Sequence, residues 1–323
     1  MEFIFNPLQA IARGLWHTLS GRTANLEALS AYAKTMQALP PGFDGMTAAL
    51  ANVFPWHHVG NANANLLLWQ PDGFGGMVAS RQSPAQFAVT RQERVGHVEL
   101  SIREVQGLSA SKSPIENFPE LDAFATAHCT DLLSDVTPQA ARALLSKGNV
   151  RLWVEGLEPK APPDNFVWHQ WDERFFFSNC DGSHHFAAAR WIALQTRTDI
   201  KVGAQLTMHT INMAAVINLV NQYDIFFVGF PEPADDSDAL VSCRAPETEL
   251  HELMSRLQTP WAYLSLPWSA PDGFLLILPK AFERSREVAQ VLRSAGLTDA
   301  GHLLSVAALN QVPMFPSALA QAA

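Results

Sequence analysis

The segment between Asn179 and His185 holds the densest set of chemically active side chains in the sequence. It reads Asn-Cys-Asp-Gly-Ser-His-His and follows a run of three phenylalanines. A glycine in such a turn allows close approach to the backbone, and the free amide groups at a helix start attract anions. Aspartate can cap the helix or hold a metal ion, and histidine can donate hydrogen bonds or move protons. These residue types predict an anion-binding turn.

Two sets of residues follow from this interpretation. The side chains able to position a cation or move protons are predicted as catalytic residues: Asp181, His184 and His185. The residues able to contact the anion through an amide, a hydroxyl or a positive charge are predicted as ligand-binding residues: Asn179, Gly182, Ser183, Arg174 and Arg190. Ordinary capping of an Ala-rich helix would produce a similar pattern, so a purely structural turn is the alternative.

The elements around the turn must hold it in place. A strand over residues 174–178 and a helix over residues 184–195 flank it directly. Further strands are predicted at 150–154, 200–207 and 225–229, with helices at 138–147 and 212–221. Alternating strands and helices predict an α/β or α+β fold, a mixed sheet with flanking helices.

The N-terminal third gives weaker patterns. Residues 40–85 are rich in Gly, Pro and Asn, which predicts turns. Strands are predicted at 87–91 and 97–105, with a turn between them at Val95-Gly96.

A strand, an Asp-Gly-x-His-x motif, an Ala-rich helix and a further strand together resemble the ParB/sulfiredoxin superfamily over residues 137–207. The resemblance implies that Asp181, Gly182, Ser183 and His184 line a nucleotide phosphate site, with Mg²⁺ as an accompanying ion. With this core, the chain is predicted to comprise a helical and β N-terminal region (1–136), a ParB/sulfiredoxin-like core (137–230) and a C-terminal α/β extension (231–323). One compact unit is the alternative.

Two positions depart from the pattern of that superfamily. His185 occupies its arginine position, and histidine is only partly charged at neutral pH. Ser183 occupies the position of the sulfiredoxin cysteine, which argues against sulfinic acid repair. The function that we expect is binding of a nucleotide or another phosphorylated ligand, with phosphoryl transfer or hydrolysis as the reactions open to it. A non-catalytic interaction protein and a metal-dependent nuclease are the alternatives, and whether the chain is an enzyme stays open.

Other histidines and aromatic residues give less specific signals. His57-His58 could bind a metal ion, but adjacent residues of a strand point to opposite faces and no carboxylate lies at ligand spacing. Asp181 with His184 and His185 is the better metal candidate, yet it would need further ligands, so no metal ligands are predicted. Trp168–Asp172 could form an aromatic wall for a ligand or belong to the core.

Composition limits the classes of partner that we expect. The net charge is −9, from 31 acidic and 22 basic residues, so nucleic acid is not an expected partner. Three widely spaced cysteines suggest neither a disulfide framework nor a zinc site. The absence of a long apolar run and of a signal-peptide pattern predicts a cytoplasmic protein without a membrane partner.

Overall fold

The computed structural model describes residues 7–36, 47–54, 56–60, 66–74, 76–156, 163–229, 245–265 and 273–309. Within these ranges it has eight α-helices and eleven strands in two sheets, which confirms the predicted mixed fold class. The helices are α1 (Pro7–Thr35), α2 (Leu121–His128), α3 (Pro138–Leu145), α4 (Ser183–Gln195), α5 (Met213–Gln222), α6 (Ala245–Leu257), α7 (Glu283–Ser294) and α8 (Ala300–Leu309). The strands are β1 (Leu66–Pro71), β2 (Met77–Gln82), β3 (Thr90–Ser101), β4 (Val105–Leu108), β5 (Trp153–Val154), β6 (Asn165–His169), β7 (Phe175–Ser178), β8 (Lys201–Ile211), β9 (Tyr223–Gly229), β10 (Trp261–Ser265) and β11 (Gly273–Pro279).

The mixed sheet has six strands in the order β3-β8-β6-β7-β4, and β5 also pairs with β8. Strand β6 is parallel to β8 and antiparallel to β7, while β4 is parallel to β7. Because side chains alternate along a strand, Phe175 and Phe177 enter the core beneath α2, α3 and α4, whereas Phe176 belongs to the other face. That other face also carries two buried histidines, His169 and His209.

The second sheet is antiparallel, with the order β2-β1-β10-β11-β9. One face packs against α5 and α8, and the other against α1, α6 and α7. Burial on both faces explains why β9 and β11 are almost continuous apolar runs, Ile-Phe-Phe-Val and Phe-Leu-Leu-Ile-Leu.

Two predicted local features differ from the structure. Strands β1 and β2 form within the segment for which its glycines, prolines and asparagines predicted turns, because tertiary pairing with β10 overrides local preference. The predicted turn at Val95-Gly96 is instead a register irregularity inside the long strand β3, where Gly96 has φ = 89°.

Strands from all three predicted regions share the two sheets, and the division at residues 136 and 230 stays a prediction. None of the helices within the described ranges combines the length and the apolar character that a membrane crossing needs.

Candidate functional site

The α4 turn, residues 179–185, connects β7 to α4 as predicted. Gly182 is the N-cap of α4 and has φ = 77°, a left-handed conformation that favours glycine. A Cβ atom at this position would lie 2.5 Å from the carbonyl oxygen of Asn149 and 2.9 Å from Cγ2 of Val150. The first helical hydrogen bond runs from the Phe186 amide to the Gly182 carbonyl, 2.9 Å. The glycine is therefore required by the backbone and by its packing.

Asn179 holds the turn against a neighbouring loop. Its amide nitrogen donates to the carbonyls of Ala110 (2.9 Å) and Asp181 (3.1 Å), and its oxygen accepts from the Ala110 amide (3.2 Å). The exposed Asp181 accepts a hydrogen bond from the Gly182 amide at 2.8 Å. The amide of Asn179 is thus occupied by bonds within the protein.

The two histidines of the turn point to different neighbours. His184 Nε2 shares a hydrogen bond with Ser113 Oγ at 2.9 Å, and Ser183 Oγ lies 3.2 Å from Ser111 Oγ. His185 Nδ1 instead pairs with the Asn149 amide nitrogen at 3.2 Å. Burial is the main cause that lowers the pKa of both half-buried histidines, which therefore carry less positive charge than the sequence predicts.

The two predicted arginines lie elsewhere. Arg174 precedes β7, whose four residues separate it from the turn by roughly 13 Å at 3.3 Å per residue. Its guanidinium forms a double hydrogen bond with Asp172 (2.9 and 2.8 Å) and donates to the Thr47 carbonyl (2.6 Å). Arg190 is buried within α4 and pairs with Asp122. Asp181, Gly182, Ser183 and His184 are brought together, and neither arginine joins them.

A second polar group, which we call the histidine cluster, consists of His57, His169 and His209. His169 ends β6 and pairs in register with His209 of the parallel strand β8, so both side chains leave the same face of the sheet. Their rings are 5.0 Å apart with an angle of 17° between the planes. The ring of His57 lies 4.9 Å from that of His169 and 4.5 Å from that of His209. One nitrogen atom from each ring lies within 4.8 Å of the other two.

Several ring nitrogens of the cluster are buried and have no hydrogen-bond partner. They are Nδ1 of His57, both nitrogens of His169 and Nδ1 of His209. A buried polar group without a partner costs about 1–3 kcal/mol, and native proteins contain few of them. His169 is only 1% exposed and His209 only 8% exposed, so bulk solvent does not reach most of either side chain.

The environment keeps the three imidazoles neutral. Burial, with smaller contributions from His58 and His209, lowers the pKa of His57 to about 3. Burial and then His58 lower the pKa of His209 to about 4. Burial is also the main cause that holds the pKa of His169 well below its usual range. Neutral imidazole is the form that binds metal ions.

The cluster is held by contacts between distant parts of the chain. His57 belongs to a 3-10 turn, Trp56–His58, whose Trp56 side chain is buried in the core beside the second sheet. Trp171 Nε1 donates to the Phe54 carbonyl at 3.0 Å and ties this turn to the end of β6. Gln170 accepts from the Ile211 amide at 2.7 Å and fastens β6 to β8.

The distances between the ligand atoms can be compared with those of a zinc site. Zinc–nitrogen bonds of about 2.0–2.1 Å in a tetrahedron place the ligand nitrogens roughly 3.3 Å apart. The widest separation in the cluster is at most 4.8 Å, which exceeds this spacing by at most roughly 1.5 Å.

Sequence reasoning missed this cluster because its members lie far apart in the chain. The local pattern at His57-His58 argues against a shared metal site, and His169 lies in a segment whose tryptophans indicate an aromatic wall or core packing. A useful signal would have been a histidine close to the end of a predicted buried strand, as His209 is to the strand predicted at 200–207.

Residues 95–316 match the model of a protein family that is described as a family of unknown function, DUF6685. The matched range contains His169, His209 and the α4 turn, and His57 precedes it. No curated protein and no solved structure is significantly similar to the chain.

Proposed function

The chain belongs to this family of unknown function, and we propose that its own function is to bind a divalent transition-metal ion through the histidine cluster. The observation that carries the proposal is the set of buried ring nitrogens without partners on three converging imidazoles. A metal ion accepts one lone pair from each ring and offsets part of the cost of burying them. Imidazole ligands suit zinc, copper, iron and nickel, and zinc is the first ion to test.

The experiment is a calorimetric titration of protein without a polyhistidine tag, first stripped of metal by a chelator. We expect one zinc ion per chain and a thermal stabilisation that grows with zinc concentration, about 2.7 kcal/mol at 100 times Kd. Mg²⁺ should give no signal because it prefers oxygen ligands.

Ligand variants identify the site. Loss of an outer partner of a metal ligand costs about 10- to 100-fold in affinity, so His169→Gln and His209→Gln should cost at least about 100-fold. The matched control is His302→Gln, which changes an exposed histidine of α8. Unchanged zinc affinity in His169→Gln, or no binding by folded wild-type protein, would refute the proposal.

A second function, binding of a phosphorylated ligand at the α4 turn, is favoured by one specific observation. A loop contributes the hydroxyls of Ser111 and Ser113 beside the start of α4, and the charge of Lys112 acts on His184. Hydroxyls, a lysine and free helix-start amides are the usual partners of phosphate.

The test is calorimetry with nucleotides and inorganic phosphate, with and without Mg²⁺, on wild type and on Lys112→Gln. We expect saturable binding in wild type and a weaker affinity in the variant. Absence of binding by folded wild-type protein would leave the turn a helix cap. Arg174 and Arg190 are buried and paired with aspartates, so neither contributes to a basic groove of the kind that a nuclease requires.

A further inference from the structure

The number of ligands at the histidine cluster indicates the type of centre. Among the described residues, three side chains converge with their ligand atoms within 4.8 Å of one another. Structural zinc sites are closed by four protein ligands, whereas catalytic sites have three and keep a fourth position for water or substrate. Three histidines therefore correspond to the open type.

The charge of the cluster also favours a metal centre that binds a further ligand. Three neutral imidazoles leave the full double charge of the ion uncompensated in a largely buried position, and a buried charge requires a counter-charge. Asp172 is the acid closest to the cluster in sequence, and both of its oxygens are bound by Arg174, at 2.8 and 2.9 Å. Its negative charge is thus already used by the neighbouring guanidinium.

The surroundings would strengthen the attraction for an anion. Arg174 stacks over Phe176, with its central carbon 5.0 Å from the ring, and Phe176 lies 6.4 Å from His169. The ring of Trp171 lies 4.7 Å from that of His169. Aromatic walls exclude water and lower the local dielectric constant, so electrostatic interactions at the ion are stronger than in water.

One side of the cluster is less buried than the other. His169 and His209 are buried, whereas His57 and the adjacent His58 are half-buried. We therefore expect a ligand from solvent to approach the ion at the turn formed by Trp56–His58.

We propose that the metal ion at the histidine cluster keeps a fourth coordination position open and binds a small anion from solution there. This inference rests on the proposed metal-binding function and goes beyond it, since it assigns the centre to the catalytic type and names the ligand class. An ion of this kind can hold a small anionic substrate or lower the pKa of a bound water molecule.

The experiment uses the full-length protein loaded with Co²⁺, whose visible absorption reports the coordination number and the ligands. Sodium azide serves as the small anion, with sodium perchlorate, whose anion coordinates metal ions very weakly, at equal ionic strength as the control for salt effects. We expect an intense visible band typical of four-coordinate cobalt, and a saturable shift of that band with azide.

A second variant tests the most obvious competitor for the fourth position. The ring of His58 lies 4.0 Å from that of His57. If the position is open, wild type and His58→Asn should respond to azide alike. A response in His58→Asn only would show that His58 closes the site and would overturn the proposal.

The remaining outcomes separate this inference from the proposed function. Stoichiometric cobalt binding with a spectrum that azide does not change, in wild type and variant, would overturn the open position but leave the metal site intact. Failure of the folded protein to bind cobalt or zinc at all would refute both the metal site and its open fourth position.

Discussion

The two ends of β7 carry polar groups that differ in how completely they are satisfied. At the end that leads into α4, Asn179, Ser183, His184 and His185 all form hydrogen bonds within the protein. At the other end, near Arg174, the histidine cluster leaves four buried ring nitrogens without any partner. The side chains at the first end thus have hydrogen-bond partners within the protein, whereas these ring nitrogens at the second end do not.

This difference separates side chains that have partners within the protein from side chains for which we propose a metal ion as the partner. A buried polar group without a partner destabilises the protein, so it persists in a native structure where a ligand, an ion or a water molecule completes it. The side chains of the α4 turn, which the sequence predicts as a functional site, have hydrogen-bond partners. Four ring nitrogens of the histidine cluster, which the sequence does not predict, have none.

The largest expected effect is the pH dependence of the metal-free protein. Because the folded-state pKa values of His57 and His209 are lowered to about 3 and 4, the unfolded chain takes up protons below pH 6.5 before the folded chain does. Stability is therefore highest above pH 6.5 and falls as the pH drops toward 4. Each buried histidine contributes up to about 1.4 kcal/mol per pH unit.

Urea denaturation between pH 7.5 and pH 4.5 measures this slope. His209→Gln should flatten it strongly, whereas His184→Gln should flatten it less because His184 is half-exposed and hydrogen-bonded to Ser113. If both variants reduced the dependence of unfolding free energy on pH equally, the two regions would not differ in the way that we propose.

A smaller effect is expected from Gly182→Ala in the turn. The left-handed backbone (φ = 77°) and the contact with the Asn149 carbonyl oxygen should together cost at least about 2 kcal/mol of unfolding free energy. Gly156→Ala is the matched control, since Gly156 has φ = 79° but nothing within 4 Å of an added Cβ. It should lose only the backbone contribution, about 1 kcal/mol.

Chemical denaturation of both variants gives the difference directly. Zinc affinity should stay unchanged in both, because the turn and the histidine cluster are separate. A large loss of zinc binding in Gly182→Ala would contradict that separation.

The local elements were predictable from the sequence because their signals are local. The phenylalanine run, the Asp-Gly-Ser turn and the Ala-rich segment predicted a strand, a turn and a helix, and the structure has β7, the α4 turn and α4 at those places. Capping and periodicity act over a few residues, so they can be read from neighbouring positions. The mixed fold class follows from the same patterns.

The histidine cluster was not predictable because it depends on strand register. His169 and His209 become neighbours through the parallel pairing of β6 with β8, and His57 reaches them through a turn more than a hundred residues earlier. No pattern within one segment specifies which strands pair or in which register. The same limit explains why Arg174 and Arg190 were assigned to the turn, whereas the structure uses both in buried pairs with aspartates.

The smallest effect, and the sharpest contrast, is expected from removing a single histidine in each region from the metal-free protein. His169→Leu replaces a buried imidazole without partners by an apolar side chain of similar size, so unfolding free energy should stay constant or rise by about 1 kcal/mol. His184→Leu removes the hydrogen bond to Ser113 and should lower the free energy of unfolding by about 1 kcal/mol. Thermal unfolding in the presence of a chelator measures both changes.

Added zinc then reverses the order of the two variants. Wild type and His184→Leu should be stabilised by the ion, while His169→Leu should not respond, because it has lost a ligand. If His169→Leu destabilised the metal-free protein more than His184→Leu does, the imidazole would be supporting the fold. The unsatisfied nitrogens would then no longer point to a ligand.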